Sequence, residues 1–109
     1  MNLQIKVLEN FAKEVKKLSK RYKNISQDLK SLQMELTQNP ICGISLGNNC
    51  YKIRVANSSI PTGKSGGFRV IYYYIDSQGI IYLMSIYSKS DLDSISDERI
   101  LEILRENGL

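Results

Sequence analysis

Phe68-Arg69-Val70-Ile71-Tyr72-Tyr73-Tyr74-Ile75, then Asp76-Ser77-Gln78-Gly79, then Ile80-Ile81-Tyr82-Leu83-Met84-Ser85-Ile86-Tyr87, carries two β-rich arms around a polar connection. β-Branched and aromatic residues dominate both arms, and Asp-Ser-Gln-Gly has the chemistry of a turn. The segment therefore predicts a β-hairpin. Its near-continuous apolar character places the hairpin at the centre of a sheet covered by helices. Upstream, Tyr51-Lys52-Ile53-Arg54-Val55 alternates strictly. Tyr51, Ile53 and Val55 share one face of a strand, and Lys52 and Arg54 share the other. Residues 57–67 between these strands are rich in Ser, Gly and Pro and read as a loop.

Toward the N-terminus the period changes to that of a helix. Phe11, Val15, Leu18 and Tyr22 form one apolar stripe, with Asn10 placed to cap its start. Ile25, Leu29, Leu32 and Leu36 form a second, opened by Asn24 and Gln27 in capping-box spacing and stopped by Asn39-Pro40. The short turn between them predicts an antiparallel helical hairpin. Before it, Leu3, Ile5 and Val7 alternate as on a short strand. At the other end, Ser94 or Ser96 caps a last helix with Asp97 and Glu98 in its first turn and Ile100, Ile103 and Leu104 on its apolar side. The order is β-α-α-β-β-β-α. It predicts one α+β domain over residues 1–109, a helical hairpin packed on a small, mainly antiparallel sheet with helices on one face.

Charge is distributed unevenly along these elements. Residues 1–38 hold eight Lys/Arg against four Asp/Glu and residues 39–89 five against one, whereas residues 90–109 hold two against six. A basic body with an acidic end fits a polyanion-binding face. Lys13, Lys16, Lys17, Lys20, Arg21 and Lys23 also fit the solvated face of an ordinary helix. No apolar run approaches membrane-spanning length, and the first ten residues lack the pattern of a secretory signal. Cys42 and Cys50 read as reduced thiols, so a cytoplasmic protein is expected.

The chain contains no histidine. That removes serine–histidine triads, most zinc sites and the usual neutral-pH acid/base. Scattered Asp and Glu do not suggest a magnesium-dependent nuclease. Gly63-Lys64-Ser65 imitates a phosphate loop, but Ser58 stands where its first glycine belongs and a strand follows where the motif needs a helix. The flanking glycines still leave Lys64 open to an anion. Lys52 and Arg54 share a strand face, and Arg69 shares one with Ile71 and Tyr73. If the two strands pair, the three cations converge on the solvated side, where an anionic ligand would offset their repulsion. A solvated polar face accounts for the same pattern equally well.

Several segments together resemble the RelE/ParE toxin superfamily, in particular its RelE/HigB-like branch. They are Tyr51-Lys52-Ile53-Arg54-Val55-Ala56, Gly63-Lys64-Ser65-Gly66-Gly67-Phe68-Arg69-Val70-Ile71-Tyr72-Tyr73, and residues 80–87 followed by Ser88-Lys89. Phe11-Ala12-Lys13, Lys16-Lys17-Leu18, Asn39-Pro40 and Leu46-Gly47-Asn48-Asn49 extend the likeness over nearly the whole chain. The resemblance implies a toxin of a type II toxin–antitoxin system: a ribosome-dependent mRNA endoribonuclease, inhibited by a cognate antitoxin. The nuclease members cut mRNA in the ribosomal A site through the substrate's own 2′-hydroxyl, which implies no metal or cofactor. Lys52, Arg54 and Arg69 become the candidate catalytic residues, both Lys52 and Arg69 being expected to face solvent. They would hold the phosphate in line and stabilise charge on its oxygens, with Lys52 the first candidate to activate the 2′-hydroxyl. Lys64 and Lys89 would grip flanking phosphates, and Tyr73 or Tyr87 would stack on a base; Tyr72 and Tyr74 read as packing residues. The apolar side of the last helix, Ile100/Ile103/Leu104, and the groove beside the helical hairpin are candidate antitoxin surfaces. Two departures stand out. Ser90 occupies the position of an arginine in the family pattern, and Ile95-Ser96 the region of a tyrosine, so either Lys89 or Lys64 replaces the family's general acid or the activity differs. A ParE-like DNA gyrase poison and a non-cleaving RNA-binding domain are the alternative functions.

Overall fold

Val55 pairs with Phe68, Ile53 with Val70 and Tyr51 with Tyr72, so the apolar faces of the two alternating segments meet in register. The computed structural model describes residues 3–61 and 66–109. The two segments are β3 (Cys50–Val55) and β4 (Phe68–Ile75), and β5 (Ile80–Ser88) returns antiparallel to β4. The connection tightens into a 3-10 turn ending at Gly79, whose φ of 65° is left-handed and suits a residue without a Cβ. β1 (Gln4–Val7) lies parallel to β5, and β2 (Ile44–Gly47) lies antiparallel to β3. The order β1-β5-β4-β3-β2 makes β4 the middle strand.

α1 (Glu9–Ser19) and α2 (Ile25–Gln38) form the expected helical hairpin. Phe11, Leu18, Ile25, Leu32 and Leu36 are buried with Ile53, Val55, Phe68, Val70, Tyr72, Ile81, Leu83 and Ile86 in one core. The Tyr72 ring stacks on Tyr51 with centroids 5.2 Å apart. Its hydroxyl donates to Pro40 O (2.9 Å) and accepts from Gly43 N (3.2 Å), pinning the chain between α2 and β2.

The sheet is covered on both faces, not one. α3 (Asp97–Glu106) packs Ile100, Ile103 and Leu104 against Cys50, Ile71 and Met84, on the side opposite the hairpin. The apolar side of α3 is thus core and not a free docking surface; Leu101 is its exposed apolar residue. The expectation of helices on one face overlooked that Ile71 and Cys50 alternate with the residues facing the hairpin. They need their own cover.

Local differences have equally specific causes. β2 was not expected; it arises because Asn48 and Asn49 adopt positive φ (52° and 62°) and turn Gly47 onto Cys50 as a two-residue hairpin loop. Asn10 does not cap α1, which begins at Glu9 after Leu8. Its side chain instead donates to Glu14 Oε1 (2.9 Å) and Met84 O (3.0 Å) and accepts from Arg99 Nη2 (2.9 Å), joining α1, β5 and α3. Asn24 sits at the N-cap of α2 but forms no side-chain cap bond. Val7 is exposed, unlike Leu3 and Ile5, which pack on the hairpin core. Ser96 does cap α3, accepting from Arg99 N at 3.1 Å.

A bulge in the β4–β5 ladder has the largest consequence for the exposed chemistry. Ile71 pairs with Ser85 and Tyr72 with Leu83, leaving Met84 as the extra residue. The period of two is broken there, so Tyr82 and Tyr87 share a face although five positions separate them. Without the bulge Tyr87 would point toward the helical hairpin.

Gly67 lies where the ends of β3, β4 and β5 meet. A Cβ at this position would come within 2.2 Å of Val55 O, and Gly67 O accepts from Lys89 N at 3.0 Å. Gly67→Ala is expected to lower unfolding free energy by about 1–3 kcal/mol. Denaturant titration of the two proteins checks this; equal midpoints would contradict the close approach.

Candidate nucleic-acid interface

Strand alternation and pairing place the three expected cations together. Lys52 and Arg54 project from β3 to the face opposite the helical hairpin, and Arg69 projects to the same face from β4. Arg54 is the direct partner of Arg69, whose other neighbour across the sheet is Tyr87. Lys52 pairs with Ile71, the residue buried beneath α3. It stands where α3 stops covering the face. The remaining end of the face is free of α3 and carries Lys52, Arg54, Arg69, Tyr87 and Lys89, of which Arg69 and Tyr87 are buried.

These side chains differ in exposure. Arg54 is exposed at the edge of β3 beyond the last β2 pairing, and Lys52 is half-buried. Both border a hollow shared with Glu35 of α2 and Ile44 of β2. Arg69 does not face solvent as expected: it is only 6% exposed, and its Nη1 donates to Phe68 O at 3.2 Å. The reason is its place on the middle strand, with a large side chain on each side. Lys64 lies outside the described residues.

Tyr87 is also buried. Burial pushes its phenol up from the ordinary range, and the nearby positive charges of Arg69 and Lys89 pull it partly back. The backbone of Ile95 also approaches the hydroxyl and pulls the phenol slightly down, so the segment after β5 lies over this ring. Tyr73 sits elsewhere on the face, four residues along β4 from Arg69 and so roughly 13 Å away. It packs against the core beneath α3 and lies 6.3 Å from Tyr82 by ring centroids. Tyr73 is therefore not brought to the cationic end.

The segment after β5 carries Lys89, expected from the sequence, and an acidic partner for it that was not read from the sequence. Asp91 N and Leu92 N donate to Ser88 O (3.0 and 3.1 Å), folding it into a tight turn. Arg21 Nη1 bonds Asp91 Oδ2 at 2.5 Å and ties that turn to the end of α1. Lys89 Nζ bonds Asp93 Oδ1 at 2.6 Å and Asp93 O at 2.9 Å. The i, i+4 spacing of Lys89 and Asp93 could have signalled the pair. Ser90, at the arginine position of the family pattern, shares a hydrogen bond with Ser88 (2.8 Å). Ile95, in the region of the family tyrosine, packs on the α3 core.

Such an arrangement can seat one phosphate against several cations on a stiff sheet, with an aromatic beneath. Among the described residues no group of His, Cys, Asp and Glu could hold a metal ion. No described helix is long and apolar enough to cross a membrane.

No protein-family model matches the sequence. Solved structures do resemble it. The free state of a mutant of the E. coli toxin RelE superposes with a TM-score of 0.62 at 20% identity, covering 97% of this chain and 98% of that one. The chain has the RelE fold. The intact E. coli RelBE toxin–antitoxin complex gives a TM-score of 0.60 at 24% identity over 79% of this chain and 95% of the matched one. Mutant RelE in complex with an antitoxin RelBc peptide gives 0.61 at 22% identity, covering 94% of each. The β-α-α-β-β-β-α order read from the sequence agrees with this fold, with β2 added.

The Lys89 ammonium holds the Asp93 carboxyl below the usual carboxylate range, with a smaller pull from Lys52. A lowered carboxyl makes any stabilising contribution complete above the ordinary carboxylate pKa, about 3.9, and loses it as pH falls through the folded value. Lys89→Ala should return the Asp93 titration toward the ordinary range. Carbon-13 NMR of the side-chain carboxyls against pH checks this; an unmoved Asp93 midpoint would show that the pair does not persist in solution.

Proposed function

We propose that this protein is the toxin of a type II toxin–antitoxin system and acts as a ribosome-dependent, metal-independent mRNA endoribonuclease. The observation that carries the reading is the gathering of Lys52, Arg54, Arg69 and Lys89 with Tyr87 at the end of a sheet face that α3 leaves uncovered. The RelE fold, shared with a toxin and with its antitoxin complex, supports it. A site for protein contact alone has no need of several cations gathered on one sheet face.

In this mechanism the mRNA supplies its own nucleophile, the 2′-hydroxyl. Lys52, half-exposed at the margin of α3, accepts the hydroxyl proton as the 2′-oxygen bonds to phosphorus. The P–O5′ bond breaks, leaving a 2′,3′-cyclic phosphate, and the departing 5′-oxygen takes a proton from Lys89 or Lys64. Arg69, fixed within the sheet, and Arg54 beside it bind the non-bridging oxygens and oppose the charge that develops there. Lys89 and Lys64 hold the flanking backbone, and Tyr87 forms the apolar floor under the scissile nucleotide. Tyr73 is a stacking residue only for a nucleotide reaching the far side of α3. The ribosome supplies the extended mRNA geometry, and a cognate antitoxin restrains the toxin in the cytoplasm.

Lys52→Ala combined with Arg54→Ala tests the reading without disturbing buried Arg69. The double variant should keep the native circular dichroism spectrum. Cleavage of translated mRNA, mapped by its 5′ ends, should fall by about 10²-fold or more. Undiminished cutting would sink the assignment of these cations. DNA damage signalling with no cut messages from the wild-type protein would indicate a gyrase poison instead.

A further inference from the structure

The proposed phosphate-binding end already contains an anion. Lys89 is set rigidly: its backbone N–H donates to Gly67 O at 3.0 Å, at the meeting of three strand ends. Its ammonium spends two of its three donors on Asp93, one on the carboxylate at 2.6 Å and one on the carbonyl at 2.9 Å. The two partners are unequal. The Lys89 side chain is 35% exposed, whereas that of Asp93 is 97% exposed. The carboxylate can leave into water while the ammonium stays on the sheet. Asp93 also lies close enough to Lys52 and Tyr87 to interact with both electrostatically.

From this geometry we infer that Asp93 is an internal counter-anion of the RNA site, holding Lys89 in the free protein and displaced when an RNA phosphate arrives. The inference rests on the RNA-binding reading above and adds a residue that sets affinity and salt dependence. An exposed ion pair of this kind is weak, so a phosphate can displace it. A cation already neutralised by its own chain releases no salt counterion on binding RNA. The logarithm of affinity should therefore fall less steeply with salt than the number of phosphate contacts would give. The pair also offsets repulsion among Lys52, Arg54, Arg69 and Lys89 in the free protein, and it penalises polyanions that cannot engage Lys89.

The test is fluorescence anisotropy with a labelled, uncleavable 2′-O-methyl oligoribonucleotide over a series of salt concentrations. Asp93→Asn should bind about two- to fivefold tighter than wild type at low salt. Its plot of log affinity against log salt should steepen by roughly 0.7, the value for one more phosphate contact on a single strand. In a Lys89→Ala background the same change should give less than about a twofold effect, because the partner is gone. Glu98→Gln, an exposed site on α3 with the same change in net charge, should leave the slope unaltered. Equal slopes for wild type and Asp93→Asn, or an equal gain from Glu98→Gln, would overturn the inference. If no protein binds the oligonucleotide, the RNA reading fails, and calorimetry with inorganic pyrophosphate decides the counter-anion separately. A Lys89-dependent gain in Asp93→Asn would sustain it there, and no gain would overturn it.

Discussion

Placing an arginine on the middle strand of a five-stranded sheet strips a full charge of most of its water, a cost of several kcal/mol unless other groups replace that water. Arg69 sits in that position, and the end of the sheet is arranged around it. One guanidinium nitrogen donates to the carbonyl of Phe68. Tyr87 flanks it on β5, and Arg54 flanks it on β3. Strand pairing brings the β-carbons of directly opposed residues to about 5 Å, so the two guanidinium-bearing chains start as neighbours of like charge. Their relief comes from reach: Arg54 lies past the end of the β2 ladder and can extend toward Glu35 of α2, whereas Arg69 cannot leave the sheet. The buried charge is fixed in place, and the exposed one is free to adapt.

The same end depends on the bulge at Met84. It turns Tyr87 to the cationic face and places Met84 under α3, in one step. α3 then divides the face. Ile71, Cys50 and Met84 lie beneath its apolar side, Tyr73 packs near its far margin, and the cations occupy what it leaves uncovered. Asn10 ties this arrangement to the other layer: it contacts Glu14, the backbone of β5 and Arg99 of α3 at once. A polar residue expected to serve one helix end thus joins three elements. Such a junction is well placed to keep α3 in register over the core, because each of its bonds is to a different element.

Much of this was legible in residue order. Alternation at Tyr51 to Val55 and in the two arms of the hairpin assigned Ile53, Val70 and Tyr72 to the core and Lys52, Arg54 and Arg69 to one side. Helical spacing gave both stripes of α1 and α2. Alternation also put apolar Cys50 and Ile71 on the second face, a sign that it needs cover, but it could not show which element supplies that cover or where the cover ends. Nor does it distinguish an edge position from a middle one, and so Arg69 was expected in solvent. The strand β2 was missed because four exposed residues carry little periodic signal; the paired asparagines at positions 48 and 49 were the available clue. The side-chain role of Asn10 depends on β5 and α3 arriving beside it, which no local pattern encodes.

The absence of histidine narrows what the cationic end can do at neutral pH. In the proposed reaction the acid–base work falls to groups that ordinarily titrate far from neutrality, so geometry and electrostatics have to supply most of the acceleration. That places the demand on rigidity, and the structure meets it unevenly. Arg69 and Tyr87 are locked between strands, and the Lys89 backbone is bonded to Gly67. The Lys89 ammonium, by contrast, is shared with a carboxylate that is almost wholly in water. A site made only of locked cations would attract any polyanion in the cell. One cation held by a weak internal partner makes productive binding depend on a phosphate placed well enough to take that partner's position. The missing histidine and the exposed aspartate are thus connected: the first leaves catalysis to concentrated positive charge, and the second limits what that charge attracts.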